Sequence, residues 1–315
     1  MPSPLEQLSA GALDWLGGNL DLFDPFSAGA RSATHGKAKA ALELGLLCHR
    51  AVRPNDSSDP LSGAAALVRK LWQDPEFPRL FDDIPAYTST YRLIYAALAP
   101  DGIDDTHCRA ALALLGPDLL SPRGKSPYRR VEIRYYADKA GVRHGIEPYA
   151  ELLPQSPLVG HHTAGPTDAA SKDAVEPLTT PQAYALTHTA FYLGDFGRVA
   201  PGIVDGVLEH ARDLVRRMLL HCVEHDRWDL AAELVLTQFV LGEDPLRTPS
   251  GAAAVECLVR AQRPDGAIPA RSAALMASPS ATVPTPAGEF FRKAYHTTLV
   301  TALMASIVSS SRRPS

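Results

Sequence analysis

What most constrains this chain is a two-part helical rhythm. Segments carrying charges and a single apolar stripe alternate with segments that are apolar on almost every face. The first kind is typified by 202–226, with Arg212, Asp213, Arg216 and Arg217, and the second by 228–242 and 294–308. A helix that is apolar nearly all round has no face to offer water and must be enclosed by other helices. No run of alternating β-branched residues ends in Asn-Gly or Asp-Gly, and the 27 prolines and 22 glycines cluster between helical segments. The spacing predicts helices at about 4–20, 32–50, 61–81, 85–98, 104–120, 128–141, 145–153, 181–196, 202–226, 228–242, 249–263 and 292–309.

Read as six outer–inner pairs, with 145–153 a short outer member, these segments predict an all-α, single-domain (α/α)6 toroid over residues 1–315. Inner helices would face a common axis and outer helices would wrap them. The pairs show no fixed period of the kind a solenoid requires. Connections 154–181 and 268–289 are long and rich in Pro, Ser, Thr and Ala, and both lead into inner helices. Loops of that length inside a compact domain are often lids, and these two are expected at one rim of the cavity. The tail 309–315 is expected to fray.

Composition excludes several classes. Asp and Glu total 35 against 31 Lys and Arg, a formal charge of −4, which leaves no cation excess to displace counterions from a nucleic-acid backbone. No stretch reaches the ~18 uninterrupted apolar residues that a membrane span needs, and no basic leader precedes an apolar run. The expectation is a cytoplasmic chain with neither nucleic-acid nor membrane partners. Cys48, Cys108, Cys222 and Cys257 stand alone in apolar helical settings and read as buried free thiols. No Walker loop, dinucleotide fingerprint or Gly-x-Ser-x-Gly occurs, so no cofactor is expected. Gly194-Asp195-Phe196-Gly197 contains a kinase-like Asp-Phe-Gly, but no Gly-rich loop or His-Arg-Asp accompanies it.

The inner segments carry Tyr87, Tyr91, Tyr95, Tyr135, Tyr136, Tyr184, Tyr192 and Tyr295, eight of the ten tyrosines. Most can be core rings with bonded hydroxyls, but together they also suit an aromatic wall with polar tips. Helical spacing aligns Tyr184, His188, Tyr192 and Asp195, then Asp229, Glu233 and Thr237, then His35, Lys39 and Glu43, while His296 follows Tyr295 in a predicted first turn. Ionisable groups buried without partners cost several kcal/mol, so these stripes must meet water, one another or a wet cavity. Parallel inner helices would gather His188, Asp229, His296 and His35 at their N-terminal ends, where helix dipoles favour negative charge.

These considerations assign His188 and His296 as proton donor and acceptor, with Asp229 orienting an imidazole. His35, Tyr91, Tyr184, Tyr192, Asp195, Trp228, Glu233 and Tyr295 would surround the substrate. Each has a plainer reading: a lone histidine on an apolar helix is more often a bonded core residue, Asp229 serves as an N-cap, and Trp228 staples a helix end. His221 and His225 have a zinc-like spacing but lack a Glu after the first His, and at a charged helix's C-terminus they read as surface. A zinc variant would use His35, His188 and His296 as its three nitrogens.

Gln262-x-x-Asp265-Gly266 resembles the signature that closes outer helices in α/α-toroid proteins, including triterpene cyclases and protein prenyltransferases. The resemblance implies a fold: Asp-Gly turns the chain and Gln bonds neighbouring backbone. It does not imply terpenoid chemistry, because Asp-x-Asp-Asp and Asp-Asp-x-x-Asp are missing. Lanthionine-forming cyclases share that toroid, but their Cys/Cys/His zinc set is missing too. Thr34–Lys37, Leu186–Gly197, Trp228–Leu234 and Tyr295–Thr298 are similar to motifs of an uncharacterised actinobacterial family of natural-product gene clusters. That resemblance implies a biosynthetic context. Two functions follow as expectations. One is a metal-free enzyme acting on a natural-product or peptide intermediate by acid–base cyclisation, elimination or isomerisation. The other is a non-catalytic ligand- or carrier-peptide-binding scaffold with the same cavity.

Overall fold

Proline sets where many helices begin. Ser3-Pro4, Ser126-Pro127, Thr180-Pro181 and Thr248-Pro249 each place Pro at the first or second helical position, where its missing N–H costs nothing. The hydroxyls of Ser3, Ser126 and Thr248 accept from the backbone N–H three residues on, at 3.2–3.3 Å. Such entries recur in a computed structural model that describes residues 3–27, 34–51, 59–160, 176–271 and 287–311. The side chains of Thr34, His35 and Ala287 lie outside that description, as do most of the two loops expected as lids and the last four residues.

Among the described residues all regular structure is helical, and there is no strand. The α-helices are α1 (Pro4–Gly18), α2 (Leu20–Phe23), α3 (Thr34–Ala51), α4 (Ser62–Gln73), α5 (Thr88–Ala97), α6 (Thr106–Ala113) and α7 (Pro127–Lys139). There follow α8 (Tyr149–Leu152), α9 (Pro157–Gly160), α10 (Thr180–Leu193), α11 (Asp205–Glu224), α12 (Trp228–Val240), α13 (Pro249–Ala261) and α14 (Ala287–Ser310). Every predicted helix has a counterpart, but some edges differ. The segment predicted at 61–81 stops at Gln73, because Pro75 drives Asp74 to extended backbone, and a separate 3-10 turn covers Phe77–Asp83. Helix α14 starts five residues before its predicted edge, so His296 sits in its third turn and not its first.

Six helices contact one another in a cycle: α3 with α5, α5 with α7, α7 with α10, α10 with α12, α12 with α14, and α14 with α3. Each of the other long helices lies against members of that set, with α1 against α14, α4 against α3, α6 against α5, and both α11 and α13 against α12. Burial follows the sequence rhythm. Ten of the thirteen residues of α12 are buried, against six of the twenty in α11. Between α4 and α5, Trp72 Nε1 donates to the Tyr95 carbonyl at 2.8 Å and the Tyr95 hydroxyl donates to the Trp72 carbonyl at 2.9 Å. The indole lies directly on α3 at Gly45, where a Cβ would meet its ring at 2.6 Å. Tyr87, Tyr91 and Tyr95, each four residues from the next, thus do not form a single wall. Four-residue steps drift about 40° each around a helix of 3.6 residues per turn, which turns Tyr95 onto α4.

The Gln262–Gly266 segment does what its resemblance implies. Gln262 Nε2 donates to the carbonyls of Leu8 (3.1 Å) and Gly266 (3.2 Å), tying α13 to α1, and Asp265 accepts from the N–H of Ala267. Gly266 has φ +90° and lies so close to Gly11 that a Cβ would collide with that residue's backbone. The four cysteines are free and buried. Among the described residues no helix is long and apolar enough to cross a membrane.

Replacing Gly266 by Ala adds both a left-handed backbone penalty and a backbone collision, and is expected to cost about 3 kcal/mol. Urea unfolding should show a lowered midpoint with an unchanged slope; an unchanged midpoint would mean the α13–α1 turn is not fixed as described.

Candidate functional site

Glu233 lies in the middle of α12 on an otherwise apolar cylinder, and its side chain is 2% exposed. A bare carboxylate there would cost several kcal/mol, so its partners define the site. The Thr187 hydroxyl donates to Oε2 at 2.7 Å. His188 Nε2 lies 3.5 Å from Oε2, and His296 Nε2 lies 3.5 Å from Oε1. Beyond His296, its Nδ1 is 3.3 Å from Glu43 Oε2, and Lys39 Nζ is 3.2 Å from Glu43 Oε1. The Tyr295 phenol is also near Glu43, whose charge adds to burial in raising it. Beyond His188, its Nδ1 is 3.1 Å from the Tyr128 hydroxyl. The result is one row, Lys39–Glu43–His296–Glu233–His188–Tyr128, drawn from α3, α14, α12, α10 and α7.

Alternation of charge along the row sets its protonation. Burial alone would raise the Glu233 carboxyl, but His188 and His296 outweigh it and hold it well below the usual carboxylate range. Glu43 follows the same balance, with His296 and Lys39 bringing it down to about 2 despite burial. Burial would lower His296, yet Glu43 and Glu233 push it up to about 10, making it a cation at neutral pH. His188 is likewise raised on balance, with Glu233 overcoming its burial. The side chains of His188 and His296 are 32% and 33% exposed, so each imidazole stands between a buried carboxylate and accessible space. Both nitrogens of His296 face carboxylates, which fixes it as a positive charge. His188 faces a carboxylate on one side and a phenol on the other.

The sequence-derived candidates separate into those that meet here and those that do not. His188, His296, Glu233 and Tyr295 converge, and half-buried Tyr91 lies near the row, its charge environment shaped by Lys39 and Glu43. Among the described residues Asp229 accepts from the Tyr184 hydroxyl and contacts no imidazole, and Glu233 joins the two histidines. The cause is register. Tyr184 precedes His188 by four residues and Asp229 precedes Glu233 by four, so on neighbouring helices running the same way the two pairs meet one turn apart. On α3, α10, α12 and α14 the row therefore sits mid-helix and not over N-terminal turns, while Tyr128 comes from the first turn of α7. Tyr192 is buried, with its hydroxyl 3.4 Å from Glu132. Trp228 lies beside Cys257 of α13, which supports the helix-end role.

Asp195 belongs elsewhere. Helix α10 ends at Leu193, and Asp195 has φ +42°, so the seven-residue spacing from His188 no longer puts both on one face. It pairs with Lys139 at 3.1 Å and Arg50 at 3.5 Å, and accepts from the Tyr135 hydroxyl at 2.8 Å. His221 and His225 stack at the C-terminus of α11, His225 exposed and His221 half-buried. A cavity of about 680 Å³ beside Gly197, Phe239, Leu241 and Val308 contains neither imidazole of the row. His35, and with it the zinc trio it would complete, lies outside the described side chains. Among the described residues no three His, Cys, Asp or Glu side chains are grouped to hold a metal ion. Sequence reasoning missed Thr187 and Tyr128, although Glu43 and Lys39 stood in its His35 stripe.

Comparison with known proteins finds one family model, described as a domain of unknown function (DUF6895), matching residues 9–306. No curated protein and no solved structure matches the chain.

The row makes stability depend on pH in two directions. Depressed carboxyl groups contribute above about 4.5, their ordinary value, and the contribution is lost as pH falls through their folded values, about 2 for Glu43. The raised His296 contributes below about 6.5 and the contribution is lost as pH rises through about 10. The stability advantage of the wild type over Glu233→Gln, from urea unfolding, should peak between about pH 4.5 and 6.5 at about 3 kcal/mol and shrink on both sides. A difference that stays flat from pH 3 to pH 10 would show that these charges are not coupled.

Proposed function

This chain belongs to the DUF6895 family, whose function is unknown, and for this member we propose an enzyme of specialised metabolism that performs acid–base chemistry in a central cavity. The cavity is the lumen of an (α/α)6 toroid. That reading is supported by the cycle of contacts through α3, α5, α7, α10, α12 and α14, by the alternation of enclosed and amphipathic helices, and by the Gln262–Gly266 turn. The substrate is a natural-product or peptide intermediate, in keeping with the biosynthetic resemblance of its motifs, and the reaction is a cyclisation, elimination or isomerisation.

One observation carries the proposal: a buried carboxylate, Glu233, held between imidazoles of two helices that each keep a third of their side chain accessible. Glu233 favours the protonated form of His188, which suits it to give a proton to substrate more than to take one. His296, clamped by Glu43 and Glu233, supplies a fixed positive charge that steadies negative charge developing nearby. Asp229 drops out of the acid–base set and positions Tyr184 instead. The scaffold alternative draws on the same clamp, since a histidine with both nitrogens engaged suits holding a ligand as well as transforming one.

Replacing the chromosomal gene of the source organism with one encoding His188→Gln should reduce the downstream product by about 100-fold or more and accumulate its precursor, as seen by mass spectrometry of extracts. The purified variant should keep its helical circular dichroism. A wild-type metabolite profile from a folded His188→Gln protein would overturn the enzymatic reading and leave the scaffold.

A further inference from the structure

The Glu233–His188 pair does not end at the imidazole but continues to a third group. His188 Nε2 is committed to the carboxylate of Glu233, and its Nδ1 is 3.1 Å from the hydroxyl of Tyr128 on α7. His296 cannot serve in its place, because Glu43 and Glu233 take both of its nitrogens. Resting on the acid–base reading above, we propose that Tyr128 is the catalytic residue that meets the substrate, as the outer end of a Glu233–His188–Tyr128 proton relay, and that the substrate presents a carbonyl or enolate oxygen to it.

The argument is one of donors and acceptors. A protonated His188 gives its Nε2–H to Glu233 and its Nδ1–H to the Tyr128 oxygen. The phenolic O–H is then free, and among the described residues it has no second protein acceptor. Tyr128 itself is half-buried. An oxygen that accepts this proton lies within the field of Arg129, which favours negative charge there against burial and Glu132. The ring of His188 is also flanked by Tyr184, Phe191 and Tyr192, with centroids 5.9–6.1 Å away, which narrows the approach to the phenol side.

The step balances as a double proton transfer. The substrate oxygen forms a bond to the Tyr128 proton as the phenolic O–H breaks, and the Tyr128 oxygen takes the Nδ1 proton of His188. His188 is left neutral with its Nε2–H on Glu233, the substrate oxyanion has become a hydroxyl, and solvent water returns a proton to Nδ1. Burial and Glu132 keep the phenol's pKa high, so Tyr128 rests as the protonated donor.

The test compares Tyr128→Phe with His188→Gln in the chromosomal gene, reading product and precursor in cell extracts, with circular dichroism and melting of each purified protein. The relay predicts that Tyr128→Phe folds, melts within a few degrees of wild type, and loses product about as far as His188→Gln, about 100-fold. Normal product from Tyr128→Phe beside loss from His188→Gln overturns the relay and leaves the acid–base reading standing. Normal product from both overturns that reading itself. A second measurement needs no variant: ¹⁵N NMR of histidine-labelled wild-type protein should show a protonated His188 Nδ1 at pH 6. A bare Nδ1 at that pH overturns the relay even if Tyr128→Phe does not fold.

Discussion

Placing the charge of Glu233 in an apolar interior is the constraint on which the rest of this site depends. A carboxylate that is 2% exposed must find compensation within reach of its two oxygens, and α12 alone offers none. Compensation comes from flanking helices: Thr187 and His188 on α10, His296 on α14. Each cation recruited in this way needs its own environment, and so Glu43, Lys39 and Tyr128 follow outward from the centre. One buried charge therefore organises side chains from five helices. Substituting a well-packed apolar residue would be energetically easier in general, which is why such a row points to use and not to stability alone.

The middle of the helix set and one of its ends differ in chemistry. Mid-helix, the row alternates in sign and reaches accessible space. At the C-terminal ends of α3, α7 and α10, Arg50, Lys139 and Arg198 gather around Asp195. Three helix C-termini carry partial negative charge, so cations there are the expected electrostatic complement. Asp195, although part of the same polar stripe in the sequence, serves the second arrangement, and its left-handed backbone marks where α10 gives way to a tight turn.

Much of the site was legible from helical spacing. His188, His296 and Glu233 stood out because ionisable residues on otherwise apolar helices demand partners, and the three do meet. The spacing put Asp229 forward as the carboxylate beside an imidazole, whereas Glu233 is the one found between His188 and His296, because a stripe of i and i+4 residues says which groups share a face but not which turn of a neighbouring helix lies opposite. Tyr128 was invisible for a related reason. It opens α7 beside Arg129 and Arg130 in a charged stretch, and nothing local says that its hydroxyl ends against an imidazole sixty residues away. Tyr95 takes the core reading open to most of the tyrosines, with its ring and hydroxyl against Trp72.

The residue pattern alone determined that this chain is helical throughout its described part, where most helices start, and which of them must be enclosed. Those are local matters: proline at first turns, hydroxyl caps, and apolar residues spread around the whole helix. Tertiary structure decided which turn of α10 faces which turn of α12, which carboxylate lies between the histidines, and which tyrosine stands at the end of the row. Those depend on the axial register of packed helices, and that register is set by the sum of contacts along their length and by no single segment.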